Sequence, residues 1–507
     1  MSAIVKSIIS LGADGIPVDI ECHISNSLPN IVIVGFANKT VDESKERLRG
    51  AFTNSGLKLP KKRISINLAP ADIPKDGASL DVAIAVAILA ADKQLATLPQ
   101  KNESFIGELG LDGTIRPVRG IIGKLLGGRK HGIQRFYVPA GNMTQAQLVP
   151  NIELVPLETL QQLYLHFTGT APLAVIQTHD GIHIPTEEST TSHDIDDIVG
   201  QAQAKRAIEI AAAGGHNILL SGPPGTGKSM LAKAFTSLLP ALSHEEMLEV
   251  THLHSLAGHE YEKLITERPL RAPHHSASHI SVVGGGNNVR PGEISLSHRG
   301  VLFFDELPEF SRSTIEALRQ PLEDKTITVS RAKETVGYPA NFIFIATANP
   351  CPCGYYGTDR VCECSPHQIN QYMRKLSGPL LDRIDICVNV DTVEHEKLLA
   401  TTSEKKSIDD IRQRIAAARK SQKKRYNDSS KLNSDMTNHD LRQLSFLAPD
   451  AKSLLDIASQ RLDLSARGYM RTVKVARTIA DLENAKTIET PHITEALQFR
   501  AQNTLEL

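Results

Sequence analysis

The segment GPPGTGKS at 222–229 constrains the fold of this chain more than any other. It fits the pattern G-x-x-x-x-G-K-[ST], in which a tight backbone loop must sit between a buried strand and the start of a helix. Apolar Ile218, Leu219 and Leu220 supply the strand, and SMLAKAFTSLL supplies the helix, whose N-terminus attracts anions. A bare pattern can match by chance; that flanking context argues against it. In such a loop the backbone N–H groups of Gly222, Pro223, Pro224, Gly225, Thr226 and Gly227, proline excepted, wrap phosphates. Lys228 meets the terminal phosphates, and the Ser229 hydroxyl ligates Mg²⁺.

The run VLFFDE ends on Asp305 and Glu306, where a parallel strand leaves the sheet. Asp305 can share the Mg²⁺ with Ser229, and Glu306 can orient or deprotonate the attacking water, so the two segments together imply an ATP hydrolysis site. Solvated loop acids are the plain alternative, and two adjacent acids closing an apolar strand disfavour it. Asn349 closes FIFIATAN and could reach the γ-phosphate, although asparagine also caps strand ends. In GPLLDRID, Arg383 could project into a neighbouring subunit's site, or pair with Asp382 and Asp385 at the surface.

At 507 residues the chain exceeds one comfortable core. Residues 1–170 alternate strand-like and helical runs (NIVIVG, VDESKERLRGAF, RISINLAP, SLDVAIAVAILAA), residues 171–196 read as a polar linker, and 197–392 as a doubly wound α/β core. Residues 393–507 carry helical periodicity and form a helical lid. The 56 basic and 57 acidic residues balance, so any nucleic-acid affinity must come from local patches. No apolar run is long enough to span a bilayer and no secretory leader is visible at MSAIVKSIISLGADG, which predicts a cytoplasmic protein.

Four of the six cysteines, Cys351, Cys353, Cys362 and Cys364, form CxC, eight residues, CxC in a turn-rich stretch. Four thiolates around a structural Zn²⁺ would staple a loop with little apolar content, with reduced packed thiols as the alternative. Cys22 and Cys387 read as interior residues. HHSASH, with His274, His275 and His279, has no nearby carboxylate to complete a metal site.

Phosphate loop, acidic strand, strand-end asparagine, arginine and helical lid, in this order, resemble the AAA+ superfamily. The blocks RPLRAPHHSASHISVVGGG, RPGEISLSHRGVLFFDELPEF, LRQPLED and ANPCPCG are similar to its magnesium-chelatase-like branch, and within it to the ComM (YifB) family. The likeness extends from the N-terminus to ARTIADL. It implies that DIVGQ, with Ile198, Val199 and Gly200, lines the adenine pocket, that Arg467 is a second sensor with Arg471 in reserve, and that Arg383 is an arginine finger. A solvated helix face is the alternative for the two lid arginines. The resemblance further implies that the insert and the hairpin TITVSRAKETVGYPAN face a central pore, with Arg271, Arg290, Arg331 and Lys333 gripping DNA phosphates. The basic helix RQRIAAARKSQKKRY reads instead as a charged lid helix.

The N-terminal blocks PNIVIVGFANKTVDESKERLRGAF and INLAPADIPKDGASLDVAIAVAILAA resemble the Lon-protease-like (S5 domain 2-like) α/β domain. Ser79 stands where that family's nucleophile lies, but Ile122 stands where its lysine would be, and Lys124 matches a different position, so no peptidase activity is expected. The resemblance implies a ring-forming, hexameric, DNA-dependent ATPase that translocates on single-stranded and branched DNA and drives branch migration during natural transformation, working beside recombination proteins. Rivals are a chelatase motor, an AAA+ protein-remodelling factor and, least favoured, a Lon-like protease.

Overall fold

The computed structural model describes the chain except for residues 1, 13, 36–37, 71–74, 76–77, 180–194, 196–197, 259–263, 287–288, 331–334, 359, 377, 393–407, 429 and 501–507. It contains two compact units.

The first unit is built on residues 1–186 and takes in two later segments, 243–266 and 332–338. Its sheet has eight strands in the order Ile176–Gln177, Glu153–Leu157, Arg135–Pro139, Glu103–Phe105, Ser2–Leu11, Asp14–Ser25, Arg63–Ala69, Asn30–Val34. Ser2–Leu11 and Asp14–Ser25 form a long antiparallel pair running from Ser2 opposite His23 to Leu11 opposite Asp14. Helices Asp81–Ala91 and Ile121–Lys130 pack on this pair. Helix Asp81–Ala91 is buried at every position, which is why DVAIAVAILAA shows no polar face. Helix Ile121–Lys130 approaches so closely that a side chain at Gly127 would strike the Gly15 backbone.

Helix His244–Ala257 belongs to this first unit, although sequence reasoning counted it with the core. Its Ser243 capping box fixes the start, His244 Nε2 meets the Leu148 carbonyl at 2.9 Å, and Ser255 Oγ accepts the Gly120 amide at 2.8 Å. The first residues of the expected linker also join the sheet: Ile176 pairs with Leu154, and Thr178 Oγ1 donates to the Ile152 carbonyl at 3.1 Å. Most of the remaining linker lies outside the described residues.

The second unit holds a five-stranded parallel sheet in the order Leu270–Arg271, Val301–Phe304, Ile343–Ala348, Ile218–Ser221, Ile386–Asn389. Val301–Phe304 and Ile343–Ala348 are buried at every residue, as expected of strands covered on both faces. Helices Ile408–Tyr426, Asn438–Leu444, Pro449–Arg461, Ala466–Leu482 and Thr490–Gln498 share one apolar core with this sheet. Helix Ala202–Gly214 ends under that lid: Arg419 and Gln422 donate to its last free carbonyls, Ala212 at 2.7 Å and Ala213 at 3.0 Å. No described helix is long and apolar enough to cross a membrane.

Candidate functional site

The phosphate loop leaves the sheet at Ser221 and enters helix Lys228–Ala234. Gly222 has no room for a side chain, since a Cβ there would run into the Val390 carbonyl, and Gly227 opens the helix with a left-handed φ of 86°. The Thr226 hydroxyl donates to the Pro223 carbonyl at 3.0 Å, holding the turn. Lys228 Nζ donates to the carbonyls of Gly222 and Pro223, both at 2.7 Å. Burial pushes this lysine down, and the charges of Asp305 and Glu306 work against that shift.

A chain of short contacts joins loop to acidic strand to sensor strand. Ser229 Oγ lies 3.1 and 2.9 Å from the two Asp305 carboxylate oxygens. Thr347 Oγ1 donates to Asp305 Oδ1 at 2.6 Å and accepts the Glu306 amide at 2.8 Å. Asn349 Nδ2 donates to Glu306 Oε1 at 3.4 Å. Parallel pairing of Val301–Phe304 with Ile343–Ala348 produces this meeting, because it brings both carboxyl ends to one edge. Ser229 and Asp305 therefore offer an oxygen pair suited to Mg²⁺, and Glu306 stands beside it with one oxygen on Asn349. Thr347 was not singled out from sequence; the signal was a hydroxyl inside the otherwise apolar FIFIATA.

Ile198 is buried in the core of this unit, with Val199 half-buried and Gly200 exposed. Gln201 ties their segment to the phosphate loop, its Nε2 donating to the Asp391 carbonyl at 2.6 Å and the Thr226 carbonyl at 3.4 Å. Asp197 lies outside the described residues.

Arg383 and Arg467 come from different elements and converge on one carboxylate. Arg383 pairs with Glu323 Oε2, and Arg467 Nη2 lies 3.3 Å from Glu323 Oε1. Glu323, in LRQPLED, was not chosen from sequence, where nothing set it apart from the neighbouring Asp324. Arg471, the reserve candidate, is committed elsewhere: it pairs with Asp385, which also accepts from His216 Nδ1 at 3.2 Å and the Asn217 amide at 3.3 Å. Burial would raise Asp385, but the Arg471 charge and the His216 contact outweigh it and hold the carboxyl well below the usual range. His216 Nε2 continues to Thr478 Oγ1 at 2.7 Å, so this buried network links the core sheet to lid helix Ala466–Leu482.

Sulfur atoms of Cys351, Cys353 and Cys362 are 3.3, 3.5 and 3.7 Å apart, and the ligand atoms of all four cysteines fall within 4.8 Å of one another. A tetrahedral Zn²⁺ with bonds of about 2.3 Å requires sulfur separations of roughly 3.8 Å, so the donor set fits that ion. All four are free thiols. The Tyr355 amide and the Cys351 thiol lower Cys353, while burial and the contacts with Cys353 and Cys351 raise Cys362 and Cys364, so the four thiols do not ionise alike. Among the described residues this is the only such ligand group; His274 and His275, whose ring centres lie 4.1 Å apart and tilted by 34°, join none. Cys22 is buried and pushed up to about 12 by that burial, while Cys387 is half-buried.

Of the four cations expected at DNA, Arg271 is held by Glu293 through contacts of 2.5 and 2.7 Å. Arg290 is exposed, and Arg331 and Lys333 lie outside the described residues, flanked by strands Thr326–Ser330 and Thr335–Pro339. In the first unit, Lys124 is buried, pushed down to about 7 by desolvation, and donates to the Ile8 carbonyl at 3.2 Å. Ser79 is half-buried, Ile122 fully buried, and no hydrogen bond joins Ser79 to Lys124 among the described residues.

Parallel sheet, phosphate loop, acidic strand end and helical lid together define a magnesium-chelatase-like AAA+ protein. Models of magnesium chelatase subunit ChlI match residues 194–398 and 20–142, and a model of its C-terminal part matches 405–500. The chain is 41% identical over 504 residues to the YifB protein of Escherichia coli (strain K12), covering 99% of this chain and 98% of that one. It is likewise 41% identical over 504 residues to competence protein ComM of Haemophilus influenzae, covering 98% and 97%. A stretch of 88 residues, 17% of this chain and 20% of the other, is 38% identical to the DNA repair protein RadA of Streptococcus pneumoniae. The chain belongs to the YifB/ComM family.

Proposed function

We propose that this protein is a ring-forming, hexameric, DNA-dependent ATPase of the cytoplasm. In this reading it translocates on single-stranded and branched DNA and drives branch migration, extending the integration of transforming DNA in homologous recombination. The observation that carries the motor half of the reading is the continuous contact chain from Ser229 through Asp305 and Thr347 to Glu306 and Asn349. The DNA half is supported by full-length similarity to a competence protein and partial similarity to a DNA repair protein.

In this reading Lys228 exchanges its two carbonyl acceptors for the terminal phosphates of ATP, and Ser229 and Asp305 hold Mg²⁺. That ion would offset charge on the transferring phosphoryl group. Glu306 takes the proton of the attacking water, with Asn349 fixing its orientation. Ile198, Val199 and Gly200 line the adenine pocket. Arg383 and Arg467 leave Glu323 to stabilise transition-state charge, Arg383 acting in a neighbouring subunit. The four cysteines hold a structural Zn²⁺. Arg290, Arg331 and Lys333 contact DNA phosphates, and Arg271 does so on leaving its Glu293 partner. The N-terminal domain serves assembly or DNA handling without peptidase activity, and recombination proteins are the partners expected at the junction.

A second reading, a chelatase-like or protein-remodelling motor, is supported by the ChlI models that match most of the chain. Steady-state ATP hydrolysis at fixed low salt separates the two. The DNA motor predicts strong stimulation by single-stranded DNA or a branched junction, lost in Lys228→Ala. Hydrolysis that depends on Lys228 yet ignores every DNA favours the second reading.

A further inference from the structure

The cysteine knuckle does not stand apart from the nucleotide site. Its first thiol, Cys351, is buried and follows Asn349 by two residues, so the strand end that delivers Asn349 to Glu306 also carries the knuckle. On its other side Gly354 lies directly against Pro224 in the middle of the phosphate loop. A Cβ at Gly354 would come within 2.6 Å of Pro224 Cδ and 3.1 Å of Pro224 Cγ. The knuckle thus touches the loop that would cradle phosphates and continues the strand that would sense them.

Beyond the thiols, the described residues of the knuckle are held only by short local contacts, such as the Gly354 amide donating to the Cys351 carbonyl at 3.0 Å and the Thr358 hydroxyl to the Tyr355 carbonyl at 2.8 Å, and by no apolar core. Between Cys351 and Cys364, Gly354 is the one other buried residue among those described, and Tyr356 and Val361 are exposed. A loop without an apolar core keeps one conformation through its cross-links. We infer that the metal-bound knuckle braces the phosphate loop through the Gly354–Pro224 contact, so that Zn²⁺ occupancy sets the affinity of the site for ATP. The inference rests on the zinc reading given under Proposed function. The physical route is preorganisation: an unbraced loop samples positions in which its amides do not converge, and nucleotide binding must then supply the ordering free energy.

Two glycines of the same loop give a matched test. Gly354 and Gly357 both have left-handed φ, 86° and 76°, so alanine strains the backbone similarly at each, but a Cβ at Gly357 meets nothing within 4 Å. The experiment measures zinc content and the affinity for a fluorescent ATP analogue in excess Mg²⁺, on the full chain, for wild type, Gly354→Ala and Gly357→Ala. Wild type is also stripped with a zinc-selective chelator and reloaded. The expected result is about one zinc per chain, binding weakened about tenfold by stripping and restored by zinc, weakened comparably in zinc-loaded Gly354→Ala, and unchanged in Gly357→Ala. If stripped protein and Gly354→Ala both bind the analogue as wild type does, the brace is wrong while the metal site stands. A wild-type protein that never holds zinc overturns the metal reading and the brace together.

Discussion

Each of the two units contains a serine, a lysine and an aspartate that could belong to a catalytic centre, and only one unit brings them together. In the second unit Ser229 lies 2.9 Å from Asp305 and adjoins Lys228, at a strand edge left open by the sheet. In the first unit Asp81 is bonded to Ser44 at 2.7 Å and Arg47 at 2.6 Å, Lys124 is buried against the Ile8 carbonyl, and among the described residues no hydrogen bond joins the Ser79 side chain to either. Burial raises Asp81, against the pull of Arg47 and Ser44, and no part of its side chain is open to solvent. Residue type sets what chemistry is conceivable; convergence at one accessible point sets what is performed.

Breaking the converged set has the largest expected effects. Lys228→Ala removes the cation at the loop and lowers ATP turnover on the order of a thousandfold, while Ser79→Ala leaves ATP turnover unchanged and casein stays intact with either protein. Parallel turnover and casein-cleavage assays check both arms. Glu306→Gln, by the same logic, lowers kcat about a hundredfold with nucleotide affinity retained, read by single-turnover kinetics beside equilibrium binding. Thr347→Val lowers turnover about tenfold, because Asp305 and the Glu306 amide lose their shared hydroxyl.

The core-to-lid network gives a smaller effect, on stability. Asp385→Asn leaves Arg471 and His216 facing an amide and costs about 3 kcal/mol, measured by chemical denaturation. The Asp385 carboxyl is depressed in the folded protein, so its contribution is fully present above the unfolded value of about 4 and is lost as pH falls through the lower folded value. Asp385→Asn therefore narrows its stability gap to wild type in acid; a gap that widens as pH falls would contradict that sign. The smallest effect belongs to Glu323→Gln, which weakens the hold on Arg383 and Arg467 and changes DNA-stimulated turnover a few-fold.

Sequence legibility followed the same divide. The phosphate loop, the acidic pair and Asn349 could be read because each is a short local pattern whose neighbours are fixed by parallel pairing. The cysteine cluster was legible for the same reason, its ligands being close in sequence. Thr347, Glu323 and the Asp385 network were not, since their partners lie 42, 60 and 86 residues away and no spacing rule connects them. The membership of helix His244–Ala257 in the first unit was hidden too: its apolar positions announce a buried face without saying what buries it.

In the proposed function, ATP turnover in the second unit moves DNA. The most direct test is displacement of a labelled strand from a synthetic branched junction by wild type and Glu306→Gln, each with ATP and with a non-hydrolysable analogue. Displacement is expected from wild type with ATP alone, with junction binding but no displacement in the other arms. Intact junctions under every condition, from a wild-type protein that hydrolyses ATP, would contradict it.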